Sequence, residues 1–413
     1  MGIPVAGAVT RTGGASAPGW NLRGLSVIAL AHGLSDFYSG IVPFTIFLVL
    51  ARDHVSPAFQ GALVFVWYVT SSIVQPLFGR YSDRHGRWWF LPAGIALTVT
   101  AISLAGAAPS IALLALCIVI GGFGSSIMHP EAGKYSAMLS GARKAGGISI
   151  FQIGGQIGYS VGPAVVALLY ARYGTGGTLL LLAPGLLAVA WLLAVMRGVD
   201  RAAGRLHLAH AGRSAAAAGP VDRIGVSLLV FSTALRYFVS AAFMTYLPNF
   251  LVGHGSSIPL AGQIVTAFLL VSSFGLLAGG ALADRFGAIR ISVIALAGAA
   301  PLFYAFFVLP GAAGVLALLC GSALLAVQNA PGVALAQAML PKNLGMALGL
   351  MNGVGFGIGS ALVAGVGLAV AAFGAGPALE SVSAAPLVAA LAYAFVSRPS
   401  TRVSLSKGEP VER

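Results

Sequence analysis

Gly79-Arg80-Tyr81-Ser82-Asp83-Arg84-His85-Gly86-Arg87 is a short polar break in an otherwise apolar stretch of chain. A second break, Gly279-Gly280-Ala281-Leu282-Ala283-Asp284-Arg285-Phe286-Gly287, repeats its order of glycine, aspartate and arginine about half a chain later. What surrounds these two turns decides the fold. Upstream of the first lie apolar runs at about 24–50 and 57–79. Each is long enough for the roughly 20 residues that cross a bilayer as a helix. Runs at about 88–108, 110–139, 144–171 and 177–197 follow it. After a gap the pattern resumes at about 223–252, 259–283, 289–309, 311–339, 343–373 and 376–396, with Pro310-Gly311 the faintest break. The sequence therefore predicts an all-α polytopic membrane protein, with twelve transmembrane helices in two six-helix bundles.

Composition points the same way. Of 413 residues, 58% are hydrophobic and 8% charged, with a mean hydropathy of +0.93. A soluble globule has too much surface for its volume to hide that apolar content, so lipid must solvate most of the chain. The net charge of +13 is not a nucleic-acid signal, because of where it sits. Counted from a cytoplasmic N-terminus, the inside segments hold Arg80, Arg84, Arg87, Arg143, Lys144, Arg197, Arg201, Arg205, Arg213, Arg223, Arg285, Arg290 and Lys342. The outside loops hold little beyond Arg52 and Arg172. That bias orients membrane proteins and predicts a multi-pass protein of the cell (inner) membrane with both termini cytoplasmic. The first 20 or so residues lack an apolar core, so no cleavable signal peptide is expected. Cys117 and Cys320 sit within apolar runs and read as two buried small side chains. Neither a disulfide framework nor metal-ligand spacing is present, and no cofactor is expected.

The domain plan follows from the gap. Residues 1–23 read as a cytoplasmic tail, 24–197 as the N-terminal bundle, 198–222 as a cytoplasmic linker, 223–396 as the C-terminal bundle and 397–413 as a second tail. Each polar turn needs glycine to bend tightly. Its aspartate can cap a helix N-terminus, where the macrodipole favours negative charge, and its arginines can pair with that aspartate. Gly79, Asp83, Arg84, Gly86 and Arg87, with Asp284 and Arg285, thus form a candidate conformational latch. G-x-x-x-D-R-x-G-R in such a turn resembles the signature motif of the major facilitator superfamily. That resemblance covers about residues 24–396 and implies a secondary transporter whose substrate path runs between the halves, near the midplane.

Polar groups inside the spans are costly and usually functional. His32 and Asp36 are four apart and share a helix face; Asp36 lies about 18 Å into its span. Burial favours a protonated carboxyl and a neighbouring cation an ionised one, so such a group can take a proton from one side and release it on the other. The fourth span closes with His129-Pro130-Glu131. Pro130 has no N–H to donate to the Ser126 carbonyl, which predicts a kink. Glu131 can share a face with Lys134 and Tyr135. Asp36, Glu131, His32 and His129 are the candidate proton-coupling groups. In the fifth span Gly154, Gly158, Gly162 and Pro163 make a smooth packing stripe, with Gln152 and Gln156 on one face. Arg236 lies about thirteen residues into the seventh span and needs an acidic partner, Asp36 or Glu131, or an anionic ligand. Gln328, Asn329 and Asn352 add polar groups to spans 10 and 11. The strongest candidates fall on spans 1, 4, 7 and 10, which line the cavity in carriers of the resembling type.

Three motifs narrow the match. His32-x3-Asp36-Phe37-Tyr38, His129-Pro130-Glu131 and Ser149-x-Phe151-Gln152-x-Gly154-Gly155 resemble the fosmidomycin resistance branch of the superfamily. That implies a drug:proton antiporter exporting a small phosphonate or related compound, with Tyr38, Arg236, Gln152, Gln156, Gln328, Asn329 and Asn352 lining the substrate cavity. Gly158-x3-Gly162-Pro163 looks like the span-5 antiporter element, although Val165-Val166-Ala167 follow where glycines are often found. Uptake of a small anionic metabolite, with Arg236 as its clamp, is the alternative. A non-transporting sensor would show a soluble output domain, and no catalytic motif supports an enzyme. The expected partners are a small-molecule substrate, protons and the lipid bilayer, with no nucleic acid and a monomeric carrier.

Overall fold

The computed structural model describes residues 19–141, 143–210, 222–340, 346–347 and 349–396. Most of both expected tails, the second half of the linker, and Lys342 lie outside the described residues. Every element among the described residues is helical. In chain order they are α1 (Leu22–Arg52), α2 (Pro57–Ser82), α3 (Phe90–Ala105), α4 (Ile111–Leu139), α5 (Lys144–Tyr173) and α6 (Leu182–His210). The second series is α7 (Arg223–Gly253), α8 (Ile258–Phe286), α9 (Ala288–Val308), α10 (Gly311–Met339), α11 (Gly349–Phe373) and α12 (Ala375–Ala394). Eleven are long and apolar enough to cross a membrane. The exception, α3, has 16 residues, about 24 Å of helix at 1.5 Å per residue.

Local chemistry sets these boundaries. Ser56, Ser110 and Ser257 cap α2, α4 and α8 by accepting backbone N–H bonds, and Asp222 accepts from Gly225 N at 2.9 Å to open α7. Gly287 joins α8 to α9 at φ 88°, a conformation that side chains disfavour. The Pro310-Gly311 step is a true break: α9 ends at Val308 and α10 starts at Gly311. Two features depart from the sequence reading. The sixth span does not stop near 197; its helix runs on to His210, because the Arg, Ala and Leu residues there are strong helix formers. Moreover, Val69–Ile73 in α2 and Gly349–Gly355 in α11 are π-helical turns, which apolar periodicity does not reveal. Such turns gather at functional sites.

The chain forms two compact units, Met1–Thr45 with Val74–Ser214, and Ile46–Ile73 with Ala215–Arg413. Within the second, the first half of α2 packs on α11 and α7. Gln60 Nε2 donates to the Thr245 carbonyl at 2.7 Å, and the Tyr246 hydroxyl to the Pro57 carbonyl at 3.3 Å. Large apolar side chains remain outside the packing, among them Leu187 (72% exposed), Phe373 (73%) and Leu391 (61%). Apolar side chains left exposed in this way suit a lipid solvent. Cys117 is buried as expected of a small apolar side chain, but Cys320 is exposed and faces outward from α10.

Candidate functional site

In the first unit the glycine stripe brings α1 and α5 into backbone contact. A Cβ on Gly154 would overlap the Ala29 carbonyl, and one on Gly158 the Gly33 carbonyl; one on Gly162 would lie 2.8 Å from the Phe37 carbonyl oxygen. Pro163 lies within the unbroken α5 helix. Gly155 leaves room for the His32 ring, which stacks on Phe151 with centroids 3.9 Å apart. This close approach positions His32, whose Nδ1 lies 2.8 Å from the Phe151 carbonyl oxygen.

One turn further along α1 is Asp36. His32 Nε2 reaches its Oδ2 at 3.1 Å, and His129 Nε2, from α4, reaches its Oδ1 at 3.1 Å. His129 in turn places Nδ1 2.9 Å from the Ser125 carbonyl oxygen and 3.2 Å from the Ser125 hydroxyl. The two imidazoles meet edge to face at 5.2 Å. A carboxylate deep in a transmembrane helix is thus clamped between two imidazoles from two helices. Ligand-capable atoms of the three residues lie within 4.8 Å of one another, a grouping that the sequence spacing does not reveal. Separations of 3.1 Å are within hydrogen-bond range. Asp36 Oδ1 is nonetheless buried without an aligned donor among the described residues, so the His129 contact rests on proximity and charge.

Glu131 is almost fully buried (1% exposed) and pairs with Lys134 Nζ at 2.9 Å. The same ammonium donates to Ser82 Oγ at 3.0 Å, tying α4 to the polar turn after α2, and Tyr135 donates to Asp200 of α6 at 2.7 Å. In that turn the helix Gln75–His85 carries on past the end of the α2 span, and the Gly86 N–H donates to the Ser82 carbonyl at 2.6 Å. Asp83 is therefore inside a last helical turn, and the N-cap position of α3 is Trp89. The Asp83 side chain lies outside the described residues. Arg84 and Arg87 are exposed, and Gly79 faces Pro130. Asp284 is likewise inside α8, and Arg285 stacks over Phe286.

In the second unit Arg236 is 6% exposed, with Nε and Nη2 buried and without a hydrogen-bond partner among the described residues. Its guanidinium lies 3.7 Å from the Tyr237 ring centroid. Tyr237 meets Phe356 edge-on, and Phe356 meets Tyr68. The acids expected to pair with Arg236 are otherwise engaged, Asp36 by two histidines and Glu131 by Lys134.

The family model of the Major Facilitator Superfamily matches residues 28–221 and 229–412. The chain belongs to that family. It is 31% identical over 376 residues to the fosmidomycin resistance protein of Escherichia coli (strain K12), covering 88% of this chain and 90% of that one. It is 28% identical to an uncharacterized MFS-type transporter of Bacillus subtilis (strain 168), covering 92% and 94%. Its fold matches a solved nucleoside transporter with a TM-score of 0.70 at 16% identity, over 92% of this chain and 100% of that one. A solved D-xylose–proton symporter gives 0.67 at 18%, over 92% and 99%. The chain is accordingly a multi-pass membrane transporter of small molecules, and members of its family are transporters rather than enzymes.

Within this facilitator fold the other expected cavity residues divide. Tyr38 is 2% exposed and donates its hydroxyl to the Leu181 carbonyl at 2.5 Å. It therefore packs α1 onto the start of α6 rather than facing open space. Gln328 is fully buried and donates to Thr233 Oγ1 at 3.2 Å, a bond between α10 and α7. Gln152, Gln156 and Asn329 are half-buried. Asn352 falls in the π-helical turn of α11, and its side chain lies outside the described residues. Sequence reasoning does not bring Ser125 or Ser82 to the site; Lys134 enters it only as a face-sharing neighbour of Glu131, and Phe151 only as part of the span-5 motif.

Proposed function

We propose that this facilitator is a proton-coupled secondary transporter that exports a small drug-like or phosphonate-type molecule by alternating access. The observation that carries the reading is Asp36 held between His32 and His129 within the apolar span α1. Charge at that depth is costly unless it does work, and a carboxylate–imidazole cluster is suited to storing and releasing protons. Export is favoured by the relative named for resistance, 31% identical, and by the Gly158–Pro163 element. In this reading 24–197 and 223–396 are the two transport bundles, the polar turns latch them, and both termini face the cytoplasm of the inner membrane. Gln152, Gln156 and Arg236 face the substrate, Glu131 is a second acid, and the carrier works as a monomer.

Uptake of a small anion is the second reading, favoured by Arg236, a buried guanidinium whose Nε and Nη2 lack a hydrogen-bond partner among the described residues. Inside-out vesicles energised to acidify their lumen separate the two. Phosphonates, cationic drugs and organic anions are added in turn while a pH-sensitive dye is read. Proton release triggered by one compound, and lost in Asp36→Asn, supports antiport. Substrate crossing without any proton movement would sink proton coupling.

A further inference from the structure

We infer that the exchangeable proton of this carrier rides on Nε2 of His129, with Asp36 serving as a fixed anion that is not itself protonated in the cycle. The inference rests on the proton-coupled reading and names the group that does the work. It begins with hydrogen-bond bookkeeping. A main-chain carbonyl only accepts, so Nδ1 of His32, 2.8 Å from the Phe151 oxygen, must carry a hydrogen. Nδ1 of His129 lies 2.9 Å from the Ser125 carbonyl oxygen and 3.2 Å from the Ser125 hydroxyl, and a hydrogen on Nδ1 is the arrangement that satisfies the shorter contact. Each imidazole is thus anchored through Nδ1–H and presents Nε2 to Asp36. A neutral ring anchored this way offers only a lone pair at Nε2, which repels a carboxylate oxygen. Both 3.1 Å contacts can stand together only when each gap holds a proton. With two imidazolium rings around one carboxylate, both gaps are filled.

The two rings are not equivalent. His32 is stacked on Phe151 and four residues from Asp36 on the same helix, so its contact is built into α1. His129 reaches across from α4, and its side chain is 25% exposed against 9% for His32. Asp36 Oδ1, its partner, is buried and has no aligned hydrogen-bond donor, so that contact is the looser one. When His129 passes its Nε2 proton to water, the lone pair left behind faces Oδ1 and the α1–α4 contact opens, while the His32–Asp36 pair stays neutral overall. Loss of the proton thereby becomes movement between two helices.

Among the described residues, Asp36 is the charged group paired with His129. Besides Asp36 and His32 from α1, α5 presents the uncharged Phe151 and Gly155 to the cluster, and α3 carries no titratable side chain between Phe90 and Ala105. Glu131 and Lys134 on its own helix bind each other, Lys134 also holds Ser82 from the α2 turn, and Asp200 of α6 is bound by Tyr135.

Infrared difference spectroscopy of the full-length protein in liposomes tests this, on stepping from about pH 8 to about pH 6, above the range of exposed carboxyls. Half the samples carry aspartate labelled with ¹³C at its carboxyl, so no substitution is needed. The expected result is a change in imidazole ring bands and no carboxylic-acid C=O band that moves with the label. His129→Gln removes only the share of the imidazole change that belongs to one of the chain's seven histidines, and substrate-driven proton release in vesicles falls to background. A label-sensitive C=O band on acidification would place the proton on aspartate and overturn the inference while leaving proton coupling intact. Wild-type vesicles that move substrate but no protons would overturn the coupling reading itself.

Discussion

Replacing Gly158 by alanine tests the contact on which the whole histidine–aspartate cluster is built. The added Cβ would overlap the Gly33 carbonyl, and the reciprocal change at Gly33 would bring its Cβ to 2.8 Å from the Gly154 oxygen. Both obstacles are main chain, so no side chain can rotate away. Gly33→Ala requires the helices to part by roughly 0.6 Å to reach normal contact, and Gly158→Ala by more. Overpacking of this kind costs about 1–3 kcal/mol. Alanine's better helix propensity returns about 0.5–1 kcal/mol. The net expectation for Gly158→Ala is a loss of about 1–2 kcal/mol, and a smaller loss for Gly33→Ala. Gly365→Ala in α11 is the control, because nothing lies within 4 Å of the point where its methyl group would stand; only the propensity gain applies there, and its sign is opposite. Thermal unfolding of the purified protein in detergent reads both, at on the order of 2 °C per kcal/mol for a chain this long. If Gly158→Ala unfolds at or above the temperature of Gly365→Ala, the backbone-contact reasoning is wrong.

Lys134→Met removes the ammonium that partners the almost fully buried Glu131. Stripping one member from a buried pair costs about 3–5 kcal/mol, here toward the lower end because Lys134 is one-third exposed. Adding Glu131→Gln should recover most of the loss in the same unfolding assay. Tyr38→Phe deletes the bond to the Leu181 carbonyl and should cost about 1–3 kcal/mol, since it leaves a buried acceptor, while substrate affinity measured by binding stays unchanged. At the end of α1 the Arg52 guanidinium holds the Asp53 carboxyl below its ordinary range. A depressed carboxyl adds stability above its unfolded value, lost as pH falls through the lowered one. Because this pair is solvent-exposed, Arg52→Ala should leave the pH–stability curve unchanged within error.

The spans were legible because lipid demands long apolar runs, and the repeated glycine–aspartate–arginine segments marked the connection after the second span of each half. The His32–Asp36 pair and the Glu131–Lys134 pair were legible because both members lie on one helix at contact spacing. His129 meeting Asp36 was not, since they belong to α1 and α4 and no local spacing joins residues so far apart in the chain. Tyr38 misled for a related reason: a tyrosine beside a functional aspartate in a span looks cavity-facing until its hydroxyl is found on the Leu181 carbonyl. The continuation of α6 to His210 was hidden because hydropathy falls at 198 while helix propensity does not. The π-helical turns were hidden because one extra residue in a turn leaves no mark on composition.

The seam between α1 and α5 has a mechanical corollary. Gly33, Gly154 and Gly158 meet main chain with no side chains interposed, so no rotamers are frozen in forming it and no knobs must leave holes for one helix to shift along the other. Resistance to separation comes from close van der Waals contact over its length, whereas resistance to axial displacement is small. The seam should behave as a linear bearing, stiff in one direction and compliant in another. It adjoins His32, where a displacement of a fraction of an ångström is enough to make or break a hydrogen bond.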